Sequence, residues 1–378
     1  MFNRIKAIAK KEFKQLSRDK RMLFVIFFFP VFLLVMFGYA VNFDVKHIKL
    51  AVYDKSGAFE SREFIKTFSG TPYFNIVQYI HNDKEINNIL DTKKAQIILI
   101  VPEDFSENLF SMKKDNKVQF LIDGVDGNTA MIIKNYVDAA VNHFNQAFQA
   151  NQLAKAGKKS SALINLEPVF WFNPDLDTTK FLIPGLIAMI LIITAAITVS
   201  LSLVREKEKG TIEQINVSSI KTIELLLGKS LPYLLIALIN AAFILIAGFI
   251  LFGIVIKGSY LLLLLSILIF LSSAVALGIF ISTVSDSQQV AFSFATFATL
   301  LPSLILSGFV FPIDNMPFII QIFTNITPVK FFIVAIRAII LKGVGLEAFW
   351  DQLLYLCLFT TVFLTLAFIV QKKKEMNA

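Results

Sequence analysis

Residues 181–210 read FLIPGLIAMILIITAAITVSLSLVREKEKG. From Phe181 to Val204 no side chain carries a charge, and Arg205, Glu206, Lys207, Glu208 and Lys209 then follow without a gap. An apolar run longer than the ~20 residues that cross the hydrocarbon of a bilayer, stopped by a block of charge, is the pattern of a transmembrane helix emerging into water. The pattern recurs outward in both directions, at Met22 to Val41, Leu231 to Ile256, Tyr260 to Val284, Val290 to Phe311 and Trp350 to Val370. The 378 residues are 56% hydrophobic and 17% charged, where a soluble domain carries roughly a quarter charged residues. The fold class is an α-helical integral membrane protein with six transmembrane helices.

The net charge is +8, but its placement argues against a nucleic-acid surface. Arg4, Lys6, Lys10, Lys11, Lys14, Arg18, Lys20 and Arg21 precede the first span, and Lys372 to Lys374 follow the last. Basic residues flanking apolar spans mark the cytoplasmic side, so both termini are expected in the cytoplasm of a bacterium, with the spans in its inner membrane. Within residues 1–21, Phe2, Ile5, Ile8, Phe13 and Leu16 alternate with the basic residues at helical spacing, which predicts an amphipathic helix on the membrane lipid surface. Gly38-Tyr39-Ala40 has the shape of a signal cleavage site; the preceding run, interrupted only by Pro30, is too long for a signal peptide and is read as an uncleaved span over 22–41.

Residues 42–180 differ in kind. Ile48 to Tyr53, Phe74 to Ile80, Ala95 to Val101 and Val118 to Ile122 are short β-branched or aromatic runs. Phe59 to Phe68, Asp83 to Lys94, Glu103 to Met112 and the long stretch Asn128 to Ala156 are helix-competent. Strands alternating with helices over a length that buries its own core predict an α/β extracytoplasmic domain inserted between transmembrane helices 1 and 2. Residues 181–371 carry helices 2–6. Residues 312–349, with Pro312, Pro317, Pro328 and a short apolar run from Phe331 to Leu341, are expected to form an external re-entrant segment.

Chemistry-bearing motifs are scarce. His47, His81 and His143 are far apart and Cys357 lies in the last apolar run, so no catalytic residue and no metal ligand set is assigned. Asp123-Gly124-Val125-Asp126-Gly127 lacks the alternate-ligand spacing of a calcium loop and reads as a turn. Gly228-Lys229-Ser230 ends like a phosphate loop, but Ile223 stands where the first glycine belongs. The informative segment is the cytoplasmic loop 205–230. Gly210 and Thr211 would end the span and open a short helix, with Thr211 and Gln214 spaced as a capping box and Ile212, Ile215 and Val217 giving it an apolar side.

That loop, from Arg205 to Gln214 followed by Leu225-Leu226-Leu227-Gly228-Lys229, resembles the coupling loop in permeases of type-2 ATP-binding-cassette exporters. Ile281-Ser282-Thr283 to Gln288-Gln289, Leu306-Ser307-Gly308-Phe309, Phe311-Pro312-Ile313, Met316-Pro317, Thr327-Pro328, Arg337 and Leu341-Lys342-Gly343 are similar to the same family. The order of segments matches the branch classed with multidrug permeases. The resemblance implies a permease subunit that is not itself an enzyme. ATP and magnesium would be bound by a partner ATPase subunit, contacting Arg205, Glu206, Lys207, Glu208, Gly210, Thr211, Glu213 and Gln214, and a second permease would complete a homo- or heterodimer. The external domain would gate the exit or serve a periplasmic adaptor protein.

The spans hold almost no charge, which argues against proton coupling. Asn240, Ser293, Thr296, Thr299 and Ser303 would line a path or pack helices, and so apolar a path suits hydrophobic or amphiphilic cargo such as a drug-like molecule or lipid. The competing readings are a membrane-anchored ligand-binding or sensor protein using the external domain, and a membrane enzyme acting on lipids.

Overall fold

The computed structural model describes residues 2–40, 47–111, 117–155, 171–173, 177–210 and 222–377. Two compact units emerge, Met1–Asn42 with Val169–Ala378, and Phe43–Pro168. The first begins with α1 (Phe2–Arg18) and α2 (Lys20–Ala40). Pro30 sits inside α2 and does not end it; prolines are tolerated in spans because neighbouring groups take up the freed carbonyl.

The second unit contains β1 (Ile48–Asp54), α3 (Phe59–Ser69), β2 (Phe74–Tyr79), α4 (Lys84–Asp91), β3 (Ile97–Val101), α5 (Phe105–Phe110), β4 (Gln119–Ile122) and α6 (Gly127–Lys155). The sheet order is β2-β1-β3-β4. β1 runs parallel to β2 and β3, and β4 is antiparallel to β3. Alternate side chains serve opposite faces. Ile48, Leu50, Val52, Ile97, Leu99 and Val101 pack with Phe64 and Phe68 of α3, Phe105 of α5 and Ile133 and Val137 of α6. Ala51 and Ile98 face the other way, toward Ile89 of α4. With both faces covered, β3 is a continuous apolar run and β1 is apolar from Leu50 to Val52.

The first unit resumes with α7 (Thr178–Glu208), α8 (Thr222–Phe252), α9 (Tyr260–Val284), α10 (Gln288–Ile305), α11 (Phe318–Thr324), α12 (Pro328–Arg337) and α13 (Trp350–Asn377). Among the described residues six helices, α2, α7, α8, α9, α10 and α13, are long and apolar enough to cross a membrane. They are not equivalent. The apolar stretch of α7 is 78% buried, against 17% for α2 and α13, and α7 packs on α2, α8, α9, α10 and α12. The outer helices leave stripes such as Leu354, Leu358, Val362, Leu366 and Ile369 exposed, as surfaces for acyl chains do.

Small residues let the central helices approach. A Cβ at Gly278 of α9 would lie 2.6 Å from the Ala196 carbonyl oxygen of α7, so the two backbones touch where a larger residue would part them. Gly278→Leu is therefore expected to destabilise the unit by about 3 kcal/mol, read as a lower melting temperature in detergent. Gly345→Ala, with open space around its Cβ, should leave it unchanged.

Several helix ends differ from the hydropathy boundaries. α8 starts at Thr222 and stops at Phe252, so Leu225 to Lys229 belong to the helix and Ile254 to Ile256 do not. Gly253, in the left-handed region at φ +63°, ends it, although the apolar run continues past that point. α10 likewise ends at Ile305, short of Phe311. Within 312–349, α11 meets α12 and its π-helical extension Ala338–Lys342 at 83°, with Pro328 opening the second arm.

Candidate functional site

Helix α7 does not stop at the apolar boundary. It carries Arg205 to Glu208 as its last turn, closed by Lys209 and by Gly210 at φ +68°. Basic residues in a last turn suit the negative end of the helix dipole, and glycine supplies the left-handed step out of it. The cytoplasmic loop read over 205–230 is thus helical at both described ends. Thr211, Glu213 and Gln214, with the short helix expected there, lie outside the described residues.

The side chains of that last turn are tied to several other helices. Glu206 is the centre. Its Oε1 lies 2.5 Å from Lys11 Nζ of α1, and its Oε2 lies 2.5 Å from Lys229 Nζ of α8. Glu12 Oε1 stands 3.6 Å from both lysines, and Glu12 Oε2 accepts from Tyr233 Oη and Ser202 Oγ, each at 3.4 Å. Glu12 and Lys229 are each only 2% exposed and Glu206 7%, so two carboxylates and the Lys229 ammonium lie where water is nearly excluded, with the half-exposed Lys11 supplying the second positive charge from the rim. Lys11, Glu12 and Glu206, together with Asp19 and Arg205, border a cavity of about 250 Å³.

Arg205 reaches Asp19 at 3.9 Å and Gln288 at 3.5 Å. Lys207 donates to the carbonyls of Ser282, Thr283 and Ser285 at the end of α9. Glu208 accepts from the Gln288 backbone N–H at 2.7 Å and from its side-chain amide, at the start of α10. A carboxylate there complements the positive end of that helix.

Burial lowers the proton affinity of Lys11, but the hydrogen bond and charge of Glu206, with Glu12 behind them, outweigh it and raise the pKa above 10.5. A raised lysine pKa contributes stability that is present below the unfolded value and lost as pH rises through the folded one. The link from α1 to α7 therefore persists through the neutral range and weakens in strong alkali as Lys11 loses its proton.

The Gly228-Lys229-Ser230 sequence lies on helix α8, not in a loop that cradles phosphate. A Cβ at Gly228 would come within 2.8 Å of Ile8 Cβ, so the glycine admits α1. Leu16 and Glu12 are the buried residues of α1, whereas Phe2 and Phe13 remain exposed. Lys11, Glu12, Lys229, Tyr233 and Gln288 were not singled out from the sequence as partners of the α7 end. One local signal existed for Glu12, an acid on the apolar side of an otherwise basic helix.

The polar span residues divide. Thr299 and Ser303 are buried on α10 and return their hydroxyls to the carbonyls of Ala295 and Thr299, at 2.7 and 2.5 Å. Thr296 is bonded similarly to Phe292 at 2.7 Å, and Ser293 is exposed. Asn240 is 2% exposed on α8, and its Oδ1 accepts no hydrogen bond among the described residues. The hydroxyls of Thr296, Thr299 and Ser303 are thus satisfied by carbonyls of their own helix.

The sequence that builds this bundle is similar to that of known proteins. Residues 20–369 match the ABC-2 family transporter protein family. The chain belongs to that family. Among its ABC-2 relatives is the probable multidrug ABC transporter permease YbhR of Escherichia coli K12, 31% identical over 376 residues and 100% of both chains. The probable multidrug ABC transporter permease YbhS of the same strain is 29% identical, over 99% of this chain and 98% of its own. The inner membrane transport permease YhhJ is 26% identical over 96% and 95%. The similarity to these ABC-2 permeases thus spans both compact units of this multi-pass membrane protein.

Proposed function

We propose that the chain is the permease subunit of an ATP-driven exporter that carries hydrophobic or amphiphilic cargo across the bacterial inner membrane. A separate ATPase subunit supplies the energy and binds ATP and magnesium, and two permeases form the path. The observation that carries this reading is the joint at the end of α7, where Glu206, Lys207 and Glu208 bind it to α1, α8, α9 and α10. A push on the segment that follows Gly210 would reach all these helices together, as coupling to a moving partner requires. ATP binding draws the two ATPases together and biases the permease toward an outward-open state, because the partner binds the two states unequally. In this topology both termini are cytoplasmic and the unit Phe43–Pro168 lies outside, where it gates the exit or meets a periplasmic adaptor protein.

The test is affinity purification of the full chain from native membranes in mild detergent. The expected result is recovery of an ATP-binding-cassette subunit with ATPase activity, lost when Arg205 to Gln214 is replaced by a neutral linker. Repeated recovery of the chain alone would favour the sensor reading, for which the cavity of about 520 Å³ beside Asp54, Arg62 and His81 in the smaller unit is the place to look.

A further inference from the structure

The two charged regions of the membrane unit differ in one respect. Around Glu206 two lysines face two glutamates, so the cations there have opposite charges at 2.5 to 3.6 Å. The groove between α11, α12 and the turn 307–314 is built otherwise. This cavity, of about 630 Å³, is lined by Lys330, Arg337 and Asp314 on a largely apolar wall that includes Phe181, Phe318 and Ile322. Among the described residues neither Lys330 nor Arg337 forms a salt bridge, and Asp314 is the sole acid in the lining.

Arg337 is held in place by neutral groups rather than by an anion. Its guanidinium lies 3.8 Å from the centre of the Phe181 ring, and its two terminal nitrogens donate to the carbonyls of Gly308 and Phe181 at 3.2 and 3.1 Å. Its Nε is buried without an acceptor, an uncommon and costly condition for a donor in a folded protein. Lys330 Nζ is steered by Thr324 Oγ1 at 2.8 Å and Asn325 Oδ1 at 2.7 Å, both neutral. A cation in a membrane unit normally pairs with an opposite charge or with backbone carbonyls; Arg337 has the carbonyls, and Lys330 has neither among the described residues. Beside the cavity, α11 leaves Phe318, Ile319, Ile322 and Phe323 exposed, an apolar surface for a tail.

We propose that this groove binds the acidic headgroup of an amphiphile, a phosphate or carboxylate on an apolar tail, between Arg337 and Lys330. A planar guanidinium fits either oxyanion, the lysine adds a second charge, and Asp314 limits the net attraction to one unit. The volume is that of a small-ligand site. The inference rests on the membrane-spanning reading but not on an ATPase partner. Its test uses the chain alone, so it and the permease reading fail separately.

The experiment is native mass spectrometry of the full chain in a neutral detergent, titrated with phosphatidylglycerol and, in parallel, phosphatidylcholine. Wild type is expected to retain the anionic lipid preferentially. Arg337→Gln should lower that retention about tenfold, the loss of a charge-assisted hydrogen bond. Lys330→Gln should lower it several-fold, while Lys342→Gln, an exposed lysine outside the lining, leaves it unchanged. Asp314→Asn should raise it, which keeps the test decisive if Arg337→Gln fails to fold. Equal retention of both lipids by wild type, or anionic retention unaltered in Lys330→Gln and Asp314→Asn, would overturn the proposal. Dodecyl phosphate should displace the lipid and inorganic phosphate should not; displacement by inorganic phosphate would remove the tail from the specificity. Phospholipid surviving purification identifies a resident lipid. A site that emerges empty and fills with dodecyl phosphate is one open to cargo, and either result supports the site.

Discussion

Lys229→Met is expected to destabilise the membrane unit by about 3–5 kcal/mol, the cost of leaving a buried charge without its partner. Lys229 is 2% exposed and lies 2.5 Å from Glu206 and 3.6 Å from Glu12. Without it, the cation left to the two buried carboxylates among the described salt bridges is Lys11, whose side chain is 53% exposed. Methionine preserves the length of the side chain, so the loss reports charge rather than a cavity. Adding Glu206→Gln to Lys229→Met restores one carboxylate to one ammonium, and should recover a large part of the lost stability. The measurement is thermal unfolding of the purified chain in detergent, followed by the fraction remaining monodisperse. A Lys229→Met protein that melts with wild type would mean that the four groups do not form a closed buried cluster.

The second large effect is on transport, with the fold intact. Glu208→Lys is expected to lower ATP-dependent export about tenfold or more, within the usual range of coupling between sites. Glu208 accepts both hydrogen bonds that Gln288 offers at the start of α10. A lysine can accept neither, and it places a positive charge at the positive end of a helix. It also extends the run of Lys207 and Lys209. The carboxylate is at the exposed end of α7, so the substitution should leave the melting temperature close to wild type. Glu208→Gln, which retains an acceptor for the backbone N–H, should fall between the two. The assay is export by the permease with its ATPase in proteoliposomes, alongside nucleotide hydrolysis. Full export by Glu208→Lys would take the residue out of the coupling path.

Much of the architecture was legible because its causes are local. Bilayer thickness sets the length of an uncharged run, so the six described helices long and apolar enough to cross a membrane were visible as composition, with Tyr260–Val284 matching to the residue. In the smaller unit, β-branched runs such as Ile48 to Tyr53 coincide with strands because buried parallel strands are apolar on both faces. The helix ends were less visible. Hydropathy continues through Ile254 to Ile256, while the backbone turned at Gly253. Lys229 read as loop because charge normally marks the edge of a span, whereas a countercharge from another helix kept it inside one.

The sequence by itself determined that this chain crosses a membrane, where its charges gather and which family it resembles. Those properties depend on neighbouring residues and on a solvent whose thickness is constant. Only the tertiary structure decided that α7 is the buried centre, that Glu206 joins Lys11 across 195 positions, and that Arg337 and Lys330 share a groove without a salt-bridge partner among the described residues. Pairings of that kind depend on which helix faces pack together, and no local period encodes the choice.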